Sequence, residues 1–320
     1  MKRILITGAL GQIGTELTSY LGNIYGTSNV LATDKRDPEE NPAIPSSGEF
    51  KSLDVLDEDA FDGIVRIFKP DTIIHLAALL SATAEALPVL AWDINMNGLR
   101  NALEIARAHR CALFVPSSIG CFGPLTPKDM TPQDAIQRPQ TMYGVTKAAG
   151  EMLCDYYYNR FDVDTRGVRF PGLISYMTIP GGGTTDYAAD IYREAVKSGS
   201  YACYLRKDTR LDMMYMPDAL RSIVNLMEAD PASLIHRNAF NITAMSVTPE
   251  EISAEILKRI PGFDISYDID PIRQAIADSW PNSLDDSAAR AEWGYAHEYD
   301  LESMTTDMLM NLSSVYDRKE

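Results

Sequence analysis

Residues 2–14 read KRILITGALGQIG. The first six, 2–7, are a short apolar run rich in β-branched residues, which predicts a buried strand. Gly8, Gly11 and Gly14, spaced GxxGxxG, then open a helical stretch through Leu17 and Leu21. A strand that turns on glycine into a helix lets the backbone approach a pyrophosphate. It also points free N–H groups and the positive end of the helix at that group. The same spacing serves a tight strand–helix turn without a ligand, so the next strand arbitrates. Residues 30–33 are apolar and end at Asp34, 20 residues beyond Gly14. A carboxylate there accepts hydrogen bonds from a ribose 2′-OH and repels a 2′-phosphate, which favours NAD over NADP. Lys35 and Arg36 follow directly and are cations that could serve a phosphate instead.

Outward from this stretch the chain alternates strands and helices. Strand candidates lie at 50–54 (FKSLD), 72–77 (TIIHLA), 111–117 (CALFVPS) and 164–170 (DTRGVRF), with helical patterns at 57–68, 86–109 and 142–161. Repeated β–α alternation predicts an α/β fold: a Rossmann-type, doubly wound parallel sheet with both faces covered. Residues 38–48 (PEENPAIPSSG) read as a loop, and Gly181, Gly182 and Gly183 as a flexible connection. Helices are expected at 185–198 and at 217–229, the latter with Pro217 near its start. The remainder mixes short strands and helices, as in a smaller C-terminal α+β lobe. The expected division is a dinucleotide-binding domain over 1–174, with 212–243 returning to it, and a substrate-binding lobe over 175–211 and 244–320. A cleft between the two is the natural place for a substrate.

Composition agrees with this frame. The 320 residues are 45% hydrophobic, enough for a sizeable core, and carry a formal net charge of −16. That charge argues against a nucleic-acid or anionic-membrane partner, each of which needs a basic face. Cys111, Cys121, Cys154 and Cys203 form no CxxC pair and read as reduced, buried thiols of a cytoplasmic protein. The chain shows neither an N-terminal signal-type apolar region nor a run of about 18 apolar residues, so secretion and membrane spanning are not expected. His75, His109, His236 and His297 lack metal-ligand spacing, and no metal is expected.

The chemistry gathers at the strand ending in Ser117 and Ser118. About 25 residues on come Tyr143 and, one helical turn later, Lys147, an i,i+4 pair on one helix face. A free phenol with a pKa near ~10 is a poor base at neutral pH. A nearby ammonium, with the positive ring of an oxidised nicotinamide, favours the phenolate. Ser118 can hold a substrate oxygen while Tyr143 takes an alcohol proton and hydride leaves.

The order GxxGxxG, HLAA, SS, YxxxK resembles the extended short-chain dehydrogenase/reductase superfamily. Longer stretches narrow the likeness. HLAALLSATAE (75–85), FVPSSIGCFGP (114–124), YGVTKAAGE (143–151), RFPGLIS (169–175), PGGGTTDYA (180–188) and ADSWP with SLDDS are similar to the metal-independent L-threonine 3-dehydrogenases of that type. This resemblance covers nearly the whole chain. It implies oxidation of L-threonine to 2-amino-3-ketobutyrate with NAD, in a homodimer formed through helices 86–109 and 142–161.

Roles carried over by the resemblance fall on named residues. Tyr143 is the expected base, Lys147 its electrostatic partner and a ribose contact, and Ser118 the positioning hydroxyl, where the family usually has Thr. Gly8, Gly11, Gln12, Ile13 and Gly14 form the phosphate loop, with Asp34 and Lys35 at the adenosine ribose. Asp54 and Val55 face the adenine, Leu76, Ala77 and Ala78 line the cofactor, and Leu173 lies near the carboxamide. Ser81, Ser118, Tyr143, Thr184, Thr185 and Trp280 make the substrate pocket. Trp280 could instead be plain core, Thr184 and Thr185 could merely cap the helix that follows, and both long helices could be covered within one subunit. Two other functions compete. A sugar-nucleotide epimerase or dehydratase would need cations for a diphosphate, for which Arg206, Lys207 and Arg210 are candidates. A dinucleotide sensor would have no need of Ser118, Tyr143 and Lys147 together.

Overall fold

The computed structural model describes residues 1–38, 48–178 and 181–317. Most of the loop expected at 38–48 lies outside the described residues. Strands β1 (Ile4–Thr7), β2 (Val30–Asp34), β3 (Glu49–Ser52), β4 (Thr72–His75), β5 (Ala112–Phe114), β6 (Ser117–Ser118), β7 (Thr165–Arg166) and β8 (Val168–Phe170) follow in chain order. The central sheet is parallel, in the order β3-β2-β1-β4-β5-β7. The order reverses at β1, which pairs with β2 through Ile4↔Val30 and with β4 through Ile4↔Thr72. The connections after β1 and β4 leave toward opposite faces at that point, opening a crevice at the carboxyl ends of the strands.

Each central strand is apolar on both sides, and its alternate residues enter different cores. Ile4, Ile6, Val30, Ala32, Ile74 and Phe114 join one core, which holds Leu17 and Leu21 of the helix Gln12–Tyr25 and Ile223 and Leu226 of the helix Met216–Glu228. Leu5, Leu31, Ile73 and Leu113 face the other, with Phe61 and Val65 of the helix Glu58–Phe68 and Leu99 and Leu103 of the helix Gly98–His109. The helix Glu58–Phe68 shows why such segments form where they do. Asp57 caps it, accepting from Ala60 N–H at 3.0 Å, and acids fill its first turn. Phe61, Val65 and Phe68 bury one stripe, each worth about 1.5–3 kcal/mol when fully buried.

Three expected elements are divided. The segment 111–117 breaks at Val115 and Pro116 into β5 and β6. The segment 164–170 breaks at Gly167 into β7 and β8, and β8 pairs with β6. The helix expected over 86–109 is in three pieces. Pro88 disfavours a helical Leu87, so Ser81–Ala86 stops and Pro88–Trp92 starts anew. A wide π turn, Asp93–Asn97, then leads into Gly98–His109. The bulge turns Asn95 inward, where its amide donates to Leu79 O and Thr146 Oγ1 and its oxygen accepts from Leu79 N–H.

Beyond β8 come β9 (Gly172–Ile174), β10 (Ser200–Cys203), β11 (Leu211–Tyr215), β12 (Phe240–Asn241), β13 (Met245–Val247) and β14 (Asp264–Tyr267). β12 pairs with β8, while β11 lies between β9 and an antiparallel β13. β10 and β14 make a separate parallel pair. The helix Tyr187–Lys197 packs with Pro249–Leu257 and Leu301–Asp317 around a third core holding Tyr187, Tyr192, Tyr215, Ile252 and Met304. All four cysteines are buried.

Candidate active site

One cleft of about 1280 Å³ runs along the carboxyl ends of β1, β2 and β4 and on to the loop before the helix Tyr187–Lys197. Each site residue expected from sequence lines it: Gly8, Gly11, Gln12, Ile13, Gly14, Asp34, Lys35, Asp54, Val55, Leu76, Ala77, Ala78, Ser81, Ser118, Tyr143, Lys147, Leu173, Thr184, Thr185 and Trp280. Its volume exceeds the few hundred to roughly 1,000 Å³ of ordinary small-ligand sites, leaving room for a dinucleotide beside a small molecule.

One end is built to receive phosphates. Gly8 turns with φ +69°, and a Cβ on it would lie 2.6 Å from Ala77 N, so glycine alone fits between β1 and the residues after β4. The helix Gln12–Tyr25 starts at Gly11 with no side-chain cap and no acid in its first turn, leaving its first amides available to an anion. Gln12 Nε2 reaches Leu173 O at 3.4 Å, tying this loop to β9. At the end of β2, Asp34 accepts from Leu10 N–H at 3.0 Å and from Arg36. Burial alone would raise the Asp34 carboxyl, but these hydrogen bonds hold it below the usual carboxylate range. Lys35 Nζ pairs with Asp54 Oδ2 at 2.7 Å. The two cations that could have served a 2′-phosphate are thus both engaged by acids. These residues fit a dinucleotide.

At the other end, the helix Met142–Phe161 delivers Tyr143 and Lys147 to the end of β6. Thr141 caps it, accepting from Gly144 N–H at 3.1 Å. The Tyr143 hydroxyl hydrogen-bonds the Ser118 side chain, and Ser118 Oγ also accepts from Gly120 N–H at 3.1 Å. Lys147 Nζ donates to Pro116 O at 2.7 Å and lies 5.5 Å from the Tyr143 ring centroid. Pro116, which divides the strand, thereby presents the carbonyl that anchors the ammonium. Gly120 was not singled out from sequence. A Cβ there would lie 3.1 Å from Tyr143 Cδ1 and 3.5 Å from Trp280 Cζ2, so its bareness lets both rings close on the turn.

Electrostatics here depart from expectation. Burial pushes the Tyr143 phenol up, to about 12, and outweighs the Ser118 hydrogen bond that opposes it. Burial also brings Lys147 down, to about 8, with the Glu151 charge opposing. Desolvation of a phenolate in an enclosed site is the larger effect, so the net shift of Tyr143 runs opposite to the lowering expected from a nearby ammonium and the nicotinamide ring. Glu151 itself sits in a buried bidentate pair with Arg169, at 3.0 and 2.8 Å, and accepts from Ser117. His75, beneath the sheet end, bonds Thr7 Oγ1 at 2.9 Å and is driven down to about 3 by burial and by Lys147, so it stays neutral.

Around Tyr143 the wall is small and polar. Ser81 Oγ and Thr184 Oγ1 are 3.1 Å apart, and Thr184 N–H donates to Ser81 at 3.2 Å. Neither Thr184 nor Thr185 caps the next helix through its side chain; Asp186 holds the cap position. Trp280 is only 4% exposed and packs in the third core, yet it lines the cleft with a buried indole N–H that has no partner. Core and pocket wall are therefore one role. Sequence reading missed Asp186, which looked like a helix-start residue. Its Oδ2 accepts from Gly182 and Gly183 N–H at 2.9 and 2.7 Å, it lines the cleft, and burial raises its carboxyl to about 6. Arg206, Lys207 and Arg210 stand outside the cleft, paired with Asp278, Glu250 and Glu251. Among the described residues no group of three or more His, Cys, Asp or Glu side chains could hold a metal, and no helix is long and apolar enough to cross a membrane.

A doubly wound sheet with this turn, carboxylate and Ser–Tyr–Lys cluster defines a dinucleotide-binding enzyme of the Rossmann type. More narrowly, the chain belongs to the NAD dependent epimerase/dehydratase family, whose model matches residues 4–243, and its cofactor is NAD. It is 62% identical to the L-threonine dehydrogenase of Clostridium difficile, whose crystal structure superposes with a TM-score of 0.96 over 98% of both chains. A monomeric L-threonine 3-dehydrogenase of metagenomic origin is 44% identical, with a TM-score of 0.94 over 98% of this chain and 99% of its own. An uncharacterised epimerase/dehydratase of Staphylococcus saprophyticus is 59% identical over 97% of this chain and 96% of its own.

Proposed function

We propose that the chain oxidises the C3 hydroxyl of L-threonine to 2-amino-3-ketobutyrate with NAD, using Tyr143 as the base. The observation that carries this reading is the composition of the cleft beside Tyr143. It offers hydroxyls, the Asp186 carboxylate and the Trp280 indole N–H; Arg193 also lines it but donates to the Ser175, Tyr176 and Thr178 carbonyls, and Arg206, Lys207 and Arg210 are paired with acids outside it. Such a wall suits an amino acid. Asp186 is the carboxylate at this end of the cleft, and we assign it to the substrate ammonium. Ser81, Thr185 and the Trp280 N–H are donors for the substrate carboxylate, and the indole face takes the methyl group.

When bound, NAD supplies the hydride acceptor and a positive ring that favours the phenolate. Ser118 holds the alcohol oxygen against Tyr143, and Tyr143 takes its proton. Lys147, fixed by Pro116 O, keeps positive charge beside the Tyr143 ring. Residues 175–211 and 244–320 supply the substrate wall and act as the substrate-binding lobe.

The assembly we favour is a homodimer through the segments around 86–109 and the helix Met142–Phe161. Val89, Leu90 and Trp92 stand exposed on the first, and Val145, Met152 and Tyr156 on the second. These segments pack on one another, so their apolar side chains suit a common interface. Four buried thiols suit a reducing cytoplasm, and the proposed reaction would place the chain in threonine catabolism. The test supplies NAD with L-threonine or with UDP-galactose. NADH absorbance must rise with threonine; turnover of UDP-galactose alone would favour the sugar-nucleotide reading.

A further inference from the structure

Asp34 ends β2 with a side chain 7% exposed, and its four acceptor positions are all taken. Oδ1 accepts Arg36 N–H at 3.0 Å and Arg36 Nε at 3.1 Å. Oδ2 accepts Leu10 N–H at 3.0 Å and Arg36 Nη2 at 3.0 Å. The chain bends directly after β2, and the Asp34 carboxylate closes that bend by accepting Arg36 N–H, which brings the Arg36 side chain back over Asp34 while Lys35 reaches Asp54. The two backbone donors are fixed parts of the loop. The guanidinium is different: its side chain is 55% exposed, and it fills one position on each carboxylate oxygen.

A ribose presents two neighbouring hydroxyls, which need one position on each oxygen. The guanidinium fork and the ribose diol therefore require the same pair of sites. We infer that Arg36 is a built-in competitor for the adenosine ribose, so that NAD binds only as the Arg36 side chain releases Asp34, and that this exchange weakens the adenosine end by a set factor. The inference rests on the reading of Asp34 as the ribose partner. Its consequence is a specificity device: a carboxylate that is never left bare, and that only a bidentate donor displaces.

Isothermal titration with NAD, and with ADP-ribose as a probe of the adenosine half, tests it at low salt. A half-exposed ion pair predicts that Arg36→Ala lowers the Kd by about two- to five-fold. The factor should be the same for both ligands and should shrink as added salt screens the pair. Arg36→Lys, with a charge but no fork, should fall between. Asp34→Asn separates the two ideas. If it weakens NAD while Arg36→Ala leaves the Kd unchanged or raises it, the competition is wrong and the ribose reading stands. If Asp34→Asn leaves NAD affinity unchanged, the ribose reading fails, and the competition with it. In the Asp34→Asn background, Arg36→Ala should bring no tightening.

Discussion

Replacing Asp186 by Asn removes a charge and very little else. The Asp186 carboxylate holds the 181–183 backbone through one oxygen, Oδ2, which accepts from both Gly182 and Gly183 N–H. An Asn carbonyl can take that place, so the loop keeps its anchor. What is lost is the anion assigned above to the threonine ammonium. A hydrogen bond to a charged group is worth about 1.5–3 kcal/mol, and about 1.4 kcal/mol is tenfold. The expected cost is therefore about 10- to 150-fold in kcat/KM for threonine. The ammonium keeps its charge through the reaction, so the contact serves ground and transition states alike and the loss should sit in KM. The pH dependence has a definite sign. Burial raises the Asp186 carboxyl to about 6, so the anion is present above that pH and lost below it. Wild-type kcat/KM should fall as pH drops through about 6, and the Asn variant should lack this limb. Steady-state kinetics across pH, with NAD affinity by titration as the control, provide the assay. An Asn variant with an unchanged threonine KM and an intact acid limb would refute the assignment.

Four further outcomes follow from the same geometry. Tyr143→Phe should keep the fold and lose roughly 10²–10⁴-fold in turnover, as removal of a general base does; near-normal turnover would remove Tyr143 from the mechanism. Activity should climb through neutral and alkaline pH, since burial places the Tyr143 phenol near 12 and oxidation needs it deprotonated. Lys147→Met should move that limb higher, whereas an unshifted profile would leave Lys147 a cofactor contact only. NAD should be preferred to NADP at equal concentration; equal rates would mean that Lys35 or Arg36 governs the pocket. Threonine should be preferred to serine by about 10- to 200-fold, the worth of one methyl in an apolar pocket, and Trp280→Ala should depress threonine turnover. Unchanged kinetics in that variant would leave Trp280 as core alone.

The sheet and the Ser118, Tyr143, Lys147 meeting were legible because each depends on local pattern. Ile4, Ile6 and Leu5 show a strand buried on both faces, and a Ser-ended strand followed by a Tyr–Lys turn of helix reaches the same sheet edge. The interruptions were partly legible. Pro88 and Pro116 are visible breakers, yet the π turn at Asp93–Asn97 depends on Asn95 finding Leu79 and Thr146, which are distant in the chain. Asp186 was missed because an acid before a helix has an ordinary local explanation, and only the folded cleft shows what it faces. The Arg36 fork on Asp34 was within reach, since an Asp side chain commonly accepts the N–H two residues on and turns the chain back over itself. The raised Tyr143 phenol was not, because desolvation depends on the assembled walls.

The most direct test of threonine oxidation follows the hydrogen itself. L-Threonine carrying deuterium at C3 is incubated with NAD and the protein, and the cofactor and amino-acid products are examined by mass spectrometry. Deuterium should appear in the reduced cofactor, one per threonine consumed, with 2-amino-3-ketobutyrate or its decarboxylation product alongside. Threonine recovered intact with its label, and no reduced cofactor formed, would contradict the account.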